Sequence, residues 1–108
     1  RSNAFEIVGQ ECKNVRENVG IADLTAFTKI EVSGRDAPNL LDRLSANKLP
    51  SSSGGIRLTH MLTPLGGIEC EMTITKLNPE RFYLNSSIMG ELHDLDCLIN
   101  MLKKRKRF

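Results

Sequence analysis

Apolar residues at two different spacings divide the chain into helices and strands. Near the N-terminus they recur at every third or fourth position and form one stripe of an amphipathic helix that ends near Gly20 (Phe5, Val8, Cys12, Val15 and Val19). In the segment TKIEVSG, apolar and polar residues alternate instead, which predicts a half-buried strand containing Ile30 and Val32. A helix followed by a strand is therefore expected in the first third of the chain.

A second helix is predicted in GRDAPNLLDRLSAN. Asp36 is a candidate N-cap, Pro38 lies in the first turn, and the apolar side chains form one face (Ala37, Leu40, Leu41 and Leu44). The segment KLPSSSGG ends this helix. A last helix is predicted in IMGELHDLDCLINMLKK from a stripe of apolar residues (Ile88, Leu92, Leu95, Ile99 and Leu102).

Three strands are predicted between the second and the last helix. Residues 56–62 and 68–77 are joined by TPLGG and are expected to form a hairpin, and RFYLNS follows after the turn NPE. The order helix, strand, helix, three strands, helix favours an α+β domain whose helices pack on one face of a largely antiparallel sheet. The other face of the sheet is then open to a ligand or to another domain.

The strand over residues 68–77 carries acidic and hydroxyl side chains at alternate positions. Because strand side chains alternate between faces, one face is expected to hold Glu69, Glu71, Thr73 and Thr75. Such a face is commonly solvated, and on pattern alone Glu69 is expected to meet only water. Glu71 is the best candidate for a site, because a carboxylate on a partly covered sheet can hold or deprotonate a ligand nitrogen.

Composition indicates one globular domain. A chain of 108 residues with 40% hydrophobic and 26% charged residues can bury a single core of modest size. No run is apolar and long enough to span a bilayer, and the N-terminal residues lack a signal-peptide pattern, so a soluble cytoplasmic protein without membrane contact is expected. The three cysteines are expected to be core residues in a reducing compartment (Cys12, Cys70 and Cys97).

Positive charge is concentrated at the C-terminus. The net charge of +2 becomes −3 when the five basic residues of the run KKRKR are set aside. Residues 103–108 are therefore predicted to be a basic tail, which could contact the phosphates of a nucleic acid. The run lacks interleaved aromatic residues, and its charge suits the end of a helix dipole, so nucleic acid is not an expected partner.

The two histidines lack the pattern of a catalytic or metal site. His93 and Cys97 are one helical turn apart, but no second pair supplies further metal ligands. His60 has no cysteine or serine nucleophile nearby. Both histidines are expected to be ordinary residues of their helix or strand. The paired glycines at 54–55 and 66–67 are expected to form turns, because neither pair belongs to a phosphate-binding motif.

Ordered motifs along nearly the whole chain resemble the first part of the folate-binding aminomethyltransferase domain. They are VR-x-x-VGI-x-DL, V-x-G-x-DA, LD-x-L-x-AN-x-LP, THML, GGIE and ELHDLD. This domain occurs in the T-protein of the glycine cleavage system and in dimethylglycine and sarcosine dehydrogenases, and LTHMLTP and ELHDLD are similar to the dehydrogenase branch. The resemblance implies a partial folate-binding domain over residues 1–102, with tetrahydrofolate as its small-molecule partner.

The resemblance also implies roles for individual residues. The family's reactive acid after the double glycine falls on Glu71, where the T-protein branch has aspartate, and a carboxylate there would help a folate nitrogen to attack the one-carbon unit. The positions that would line the folate are Phe27, Leu58, Thr73, Thr75, Asn85 and Ser87. The T-protein differs at three of them, with methionine at 27, tyrosine at 58 and asparagine at 87.

The implied function is transfer of a one-carbon unit to tetrahydrofolate within an intact enzyme of the dimethylglycine or sarcosine dehydrogenase type. In that branch an N-terminal flavin domain oxidises the N-methyl amine, so FAD is expected only in that further domain. A second half of the folate domain closes the pocket, and the present residues alone are expected to be catalytically incomplete. The alternative is a stand-alone binding or assembly module whose open sheet face pairs with another subunit or with a second copy.

Overall fold

The computed structural model describes residues 2–105, and residues 1 and 106–108 lie outside that description, as do the side chains of residues 104 and 105. Half of the predicted basic tail, residues 106–108, therefore falls outside the described residues. The elements in chain order are α1 (Phe5–Glu17), β1 (Thr28–Ser33), α2 (Ala37–Leu44), β2 (Ile56–Leu62), β3 (Ile68–Asn78), β4 (Arg81–Ser86), a 3-10 turn (Ile88–Gly90) and α3 (Glu91–Arg105). The predicted order and the α+β class are confirmed.

The sheet is antiparallel and has the strand order β1-β4-β3-β2. β2 and β3 form the predicted hairpin, and Gly66 in its turn has a φ of 83°, a conformation that a residue with a side chain rarely adopts. β4 pairs with β3 on one side and with β1 on the other, so β1 becomes an edge strand although it comes first in sequence. β3 and β4 thus form the centre of the sheet, and β1 and β2 lie at its edges.

The core lies between one face of the sheet and the helices α2 and α3. Met72 and Ile74 of β3 are buried in it, whereas Thr73 and Thr75 lie on the opposite face, as the alternation predicts. On that opposite face Leu58 is exposed, so the described part of the chain leaves the face open. The buried apolar cluster consists of Ala37, Leu41, Met61, Met72, Ile74, Phe82, Leu84 and Leu98.

α2 begins as the sequence predicts. Asp36 occupies its N-cap position, although the Asp36 side chain makes no capping hydrogen bond, and Pro38 lies in the first turn. Ala37, Leu40 and Leu41 are buried, which confirms the predicted inner face of this helix. Within residues 2–105, no helix has the length and apolarity that a membrane crossing requires.

α3 forms where predicted, but its predicted inner face is wrong. Among its described side chains, the helix buries Asp94 and Leu98, which are 2% and 3% exposed. The whole predicted stripe remains exposed (Ile88, Leu92, Leu95, Ile99 and Leu102). Asp94 can be buried because its carboxylate is hydrogen-bonded to His93 and because Gly90 has no Cβ to collide with it. Apolar periodicity does not reveal a buried carboxylate that has a partner, so the sequence predicted the wrong face.

α1 is present but buries none of its residues. Its predicted apolar stripe exists, yet Phe5, Val8 and Val15 are each about half exposed or more. The prediction that every cysteine is a core residue is therefore wrong for Cys12, which lies on this exposed stripe. A stripe at helical spacing shows which side chains share a face, but it does not provide the surface against which that face packs.

Candidate functional site

A depression opens beside β3 at the point where β4 ends. β4 pairs with β3 only from Met72 onward, because Ser86 is the last residue of β4. Residues 69–71 of β3 therefore have no strand neighbour on that side within the described residues. The 3-10 turn, the start of α3 and the loop before β1 surround a cavity of about 760 Å³ instead.

The depression brings together six of the seven residues that the resemblance assigns to a folate site: Phe27, Leu58, Glu71, Thr73, Asn85 and Ser87. Thr73 is the centre of this group, because its register partners are Leu58 on β2 and Asn85 on β4. The seventh residue, Thr75, does not line the depression and lies two residues further along β3. The sheet and the loop before β1 thus bring side chains from separate segments of the chain to one depression.

Glu71 has a side-chain partner that the sequence analysis did not identify. His60 on β2 is its direct partner in the hairpin register, and His60 Nε2 lies 2.8 Å from Glu71 Oε2. The Glu71 side chain is nevertheless 59% exposed, so its carboxylate is accessible from the depression. The expectation that His60 is an ordinary strand residue missed this contact, which only the register of the hairpin could have revealed.

Glu69 also lines the depression, but its side chain has a different partner from that of Glu71. The hairpin register shifts at a β-bulge after Met61, and Glu69 is the residue of β3 that this shift leaves without a cross-strand partner. Its carboxylate Oε1 lies 3.0 Å from Nε2 of His93 on α3. The expectation that Glu69 meets only water is therefore wrong, because the bulge breaks the alternation of faces at this residue.

His93 links α3 to β3. Its Nδ1 lies 2.9 Å from Oδ1 of the buried Asp94, and its Nε2 contacts Glu69. The hydrogen bond to Asp94 contributes most to raising the pKa of His93, and the hydrogen bond to Glu69 raises it further. Both carboxylates favour the protonated imidazole. His93 therefore closes one end of the depression and is more than the ordinary helix residue that the sequence suggests.

We expect the folded chain to lose stability as pH rises through the raised pKa of His93. The folded state binds the proton of the His93 imidazole more tightly than the unfolded chain does. The stabilisation is therefore complete below the ordinary histidine pKa of 6.5, and it is lost as pH rises through the higher pKa of the folded state. Urea denaturation at a series of pH values from below 6.5 upward measures the effect. His93→Gln should lack this part of the pH dependence, and equal pH dependence in both proteins would contradict the assignment.

The loop before β1 is held in place by Lys29. Its Nζ donates hydrogen bonds to the carbonyl oxygens of Leu24, Thr25 and Phe27, at 3.2, 2.9 and 2.7 Å. These bonds place Leu24 and Phe27 on the wall of the depression and give it an apolar side. The ammonium group of Lys29 thus binds backbone carbonyl oxygens of the loop, a contact that apolar periodicity could not have predicted.

The remaining groups of the depression favour binding over nucleophilic chemistry. Burial is the main cause that raises the pKa of the Cys70 thiol to about 12, and the negative charge of Asp94 adds to it. The reactive thiolate is therefore not formed at neutral pH. The Ser87 hydroxyl accepts a hydrogen bond from the backbone N–H of Met89 and caps the 3-10 turn. Among residues 2–105, no group of three His, Cys, Asp or Glu side chains is arranged to hold a metal ion. Glu69 and Glu71 are the two exposed carboxylates that line the depression, and the side chain of Glu71 is the more exposed, at 59% against 35%.

Comparisons with known proteins point to one domain family. A family model described as the GCVT N-terminal domain matches residues 1–107. Mitochondrial dimethylglycine dehydrogenase from Mus musculus is 44% identical over 95 residues, which cover 88% of this chain and 11% of that protein. Sarcosine oxidase subunit alpha from Corynebacterium sp. (strain U-96) is 30% identical over 99 residues, which cover 91% of this chain and 10% of that protein.

A solved structure has the same fold. The crystal structure of glycine cleavage system aminomethyltransferase T from Bartonella henselae matches with a TM-score of 0.68 and 23% identity, over 73% of this chain and 22% of that one. The chain thus spans about a tenth of the length of the curated relatives named above. The named dimethylglycine dehydrogenase is mitochondrial, and the cytoplasmic location expected for this chain stays a prediction.

Proposed function

This chain belongs to the family of the GCVT N-terminal domain, as its motifs predict, and from this premise we propose that the depression beside β3 binds tetrahydrofolate. In the complete enzyme, a dehydrogenase or aminomethyltransferase related to dimethylglycine dehydrogenase and sarcosine oxidase, bound tetrahydrofolate would supply the nitrogens that accept a one-carbon unit. The observation that carries the proposal is that Glu71 and five further residues, which the resemblance assigns to the folate site, line one cavity.

The size and the chemistry of the depression suit a reduced folate. Its volume of about 760 Å³ lies within the usual range of small-molecule sites. Phe27 and Leu58 offer apolar surface to a flat ring, and Thr73 and Asn85 can each donate and accept hydrogen bonds. The N–H groups of a pterin require acceptors, and Glu71 supplies an accessible carboxylate.

Glu71 would both orient the ligand and accept a proton. Among the described residues, its side-chain hydrogen bond is the one to His60 through Oε2, so Oε1 can accept an N–H of the ligand. A proton that leaves a folate nitrogen as that nitrogen bonds to carbon would pass to this carboxylate. Thr75, about 7 Å beyond Thr73 along β3, would contact only a more distant part of the ligand, such as its aminobenzoyl tail.

Amine oxidation is not part of the role proposed for these residues. In an enzyme of the dimethylglycine dehydrogenase type, FAD would be held by a separate flavin domain. The folate-binding residues would then receive the one-carbon unit that this oxidation releases. The role proposed for the present chain is to bind tetrahydrofolate and to accept a proton at Glu71.

A titration of the purified chain with tetrahydrofolate under reducing conditions tests this proposal. We expect a Kd roughly between the high micromolar and the millimolar range, because the open depression covers only part of the ligand, whereas closed pockets bury about 70–90% of it. Isothermal calorimetry measures the affinity, and p-aminobenzoylglutamate, which lacks the pterin, is the matched control. No heat of binding at millimolar tetrahydrofolate would reject the folate site.

A second candidate function, an assembly module, is favoured by the exposed apolar stripes of α1 and α3. Side chains such as Val15 and Leu92 are 62% and 81% exposed, and an exposed apolar helix face commonly forms an interface. Light scattering over a range of protein concentrations discriminates between the candidates. A strict monomer at high concentration speaks against assembly of the chain with itself.

A further inference from the structure

The contact between His60 and Glu71 joins two neighbouring strands of the sheet, the edge strand β2 and its partner β3. The two residues lie directly opposite each other on β2 and β3, and the distance between Nε2 of His60 and Oε2 of Glu71 is 2.8 Å. The His60 side chain is 36% exposed, less than that of Glu71 at 59%. Both residues come from paired strands, so the backbone hydrogen bonds of the hairpin hold the two residues opposite each other.

This contact engages one carboxylate oxygen and leaves the other for a ligand. A carboxylate can only accept, so the bond requires a proton on Nε2 of His60. A glutamate that is not held has several rotatable bonds, and ordering them when a ligand binds costs conformational entropy. A hydrogen bond that orders Glu71 beforehand reduces this cost. His60 does not itself line the depression, so any effect on a ligand must pass through Glu71.

We propose that His60 is a positioning residue of the folate site, whose Nε2–H holds Oε2 of Glu71 so that Oε1 is directed at a nitrogen of the bound folate. This inference rests on the proposed function, because it assumes that the ligand in the depression is a reduced folate. It adds a residue outside the cavity wall to the site, and it assigns the two oxygens of Glu71 different partners.

Nitrogen-15 NMR of the histidine side chains tests the hydrogen bond without any folate. We expect a protonated Nε2 on His60, with a slowly exchanging proton resonance that disappears in Glu71→Leu. Glu80→Leu, in the turn between β3 and β4, is the matched control and should leave the His60 signals unchanged. Identical His60 resonances in the unmodified chain and in Glu71→Leu would overturn the proposal.

Titrations with tetrahydrofolate test the positioning role. His60→Leu removes the donor and should weaken binding by about three- to tenfold, the effect of one net hydrogen bond. His60→Gln keeps a donor at about the place of Nε2 and should retain the affinity of the unmodified chain. In the Glu71→Leu background, His60→Leu should cause no further loss, because the two residues act as one unit.

Failure of this inference is distinguishable from failure of the folate site. No binding of tetrahydrofolate to the unmodified chain overturns the folate site itself. Binding to the unmodified chain that His60→Leu leaves unchanged overturns only the role of His60. Circular dichroism of each variant shows whether it folds, and the NMR comparison, in which His60 is not substituted, decides the matter if His60→Leu does not fold.

Discussion

Replacing Glu71 by glutamine should weaken tetrahydrofolate binding by about ten- to a hundredfold, because hydrogen bonds to a charged group are much stronger than those between neutral groups. The glutamine keeps the shape of the side chain and removes its charge. It also turns one acceptor into a donor, which would oppose an N–H of the ligand. The affinity of the variant and of the unmodified chain can be compared by calorimetry under identical conditions.

Glu80→Gln is the matched control for this substitution. Glu80 is exposed in the turn between β3 and β4 and does not line the depression, so its loss should leave the affinity unchanged. Glu69 would be a poor control, because its hydrogen bond to His93 shapes one end of the site. Equal losses in Glu71→Gln and Glu80→Gln would mean that only the overall charge of the chain matters.

Replacing Leu41 by alanine should lower the free energy of unfolding by about 2–5 kcal/mol, the usual cost of truncating a buried leucine. Leu41 is 0% exposed and belongs to the cluster between α2 and the sheet. Small domains are stable by only about 5–15 kcal/mol, so the variant would lose a large share of its stability. Denaturation by urea, followed by circular dichroism, measures the change.

Leu65→Ala is the same substitution at a surface position. Leu65 lies in the turn between β2 and β3 and is 99% exposed, so its truncation should change the free energy of unfolding by no more than about 0.5 kcal/mol. The difference between the two variants isolates the contribution of burial. Similar destabilisation by both would show that α2 does not pack on the sheet as described.

The elements of the fold could be predicted because their signals are local. β2 and β4 cover the predicted residues, since alternating side chains and the intervening turn residues define each strand within a few positions. The inner face of α3 could not be predicted in the same way. Burial of Asp94 depends on its bond to His93 and on the missing Cβ of Gly90, and neither is visible in apolar periodicity.

The candidate site was predicted through the family resemblance. The contacts of the site that the sequence did not reveal depend on pairing between strands. Motifs placed Glu71 and its companions at the site, and the structure gathers all of them except Thr75. His60 reaches Glu71 only in one register of the hairpin, and Glu69 reaches His93 only because of a β-bulge. A shift by one residue moves a side chain to the other face, so these contacts require the folded structure.

The folate site is tested most directly by a chemical-shift titration of the nitrogen-15-labelled chain with tetrahydrofolate. The expected result is a saturable set of shifts confined to the depression, with Phe27, Thr73 and Asn85 among the largest and with Glu71→Gln reducing the affinity. Shifts that avoid these residues would contradict the site. So would shifts that concentrate on the separate groove near Met101 and Arg43, or that respond equally to Glu71→Gln and Glu80→Gln.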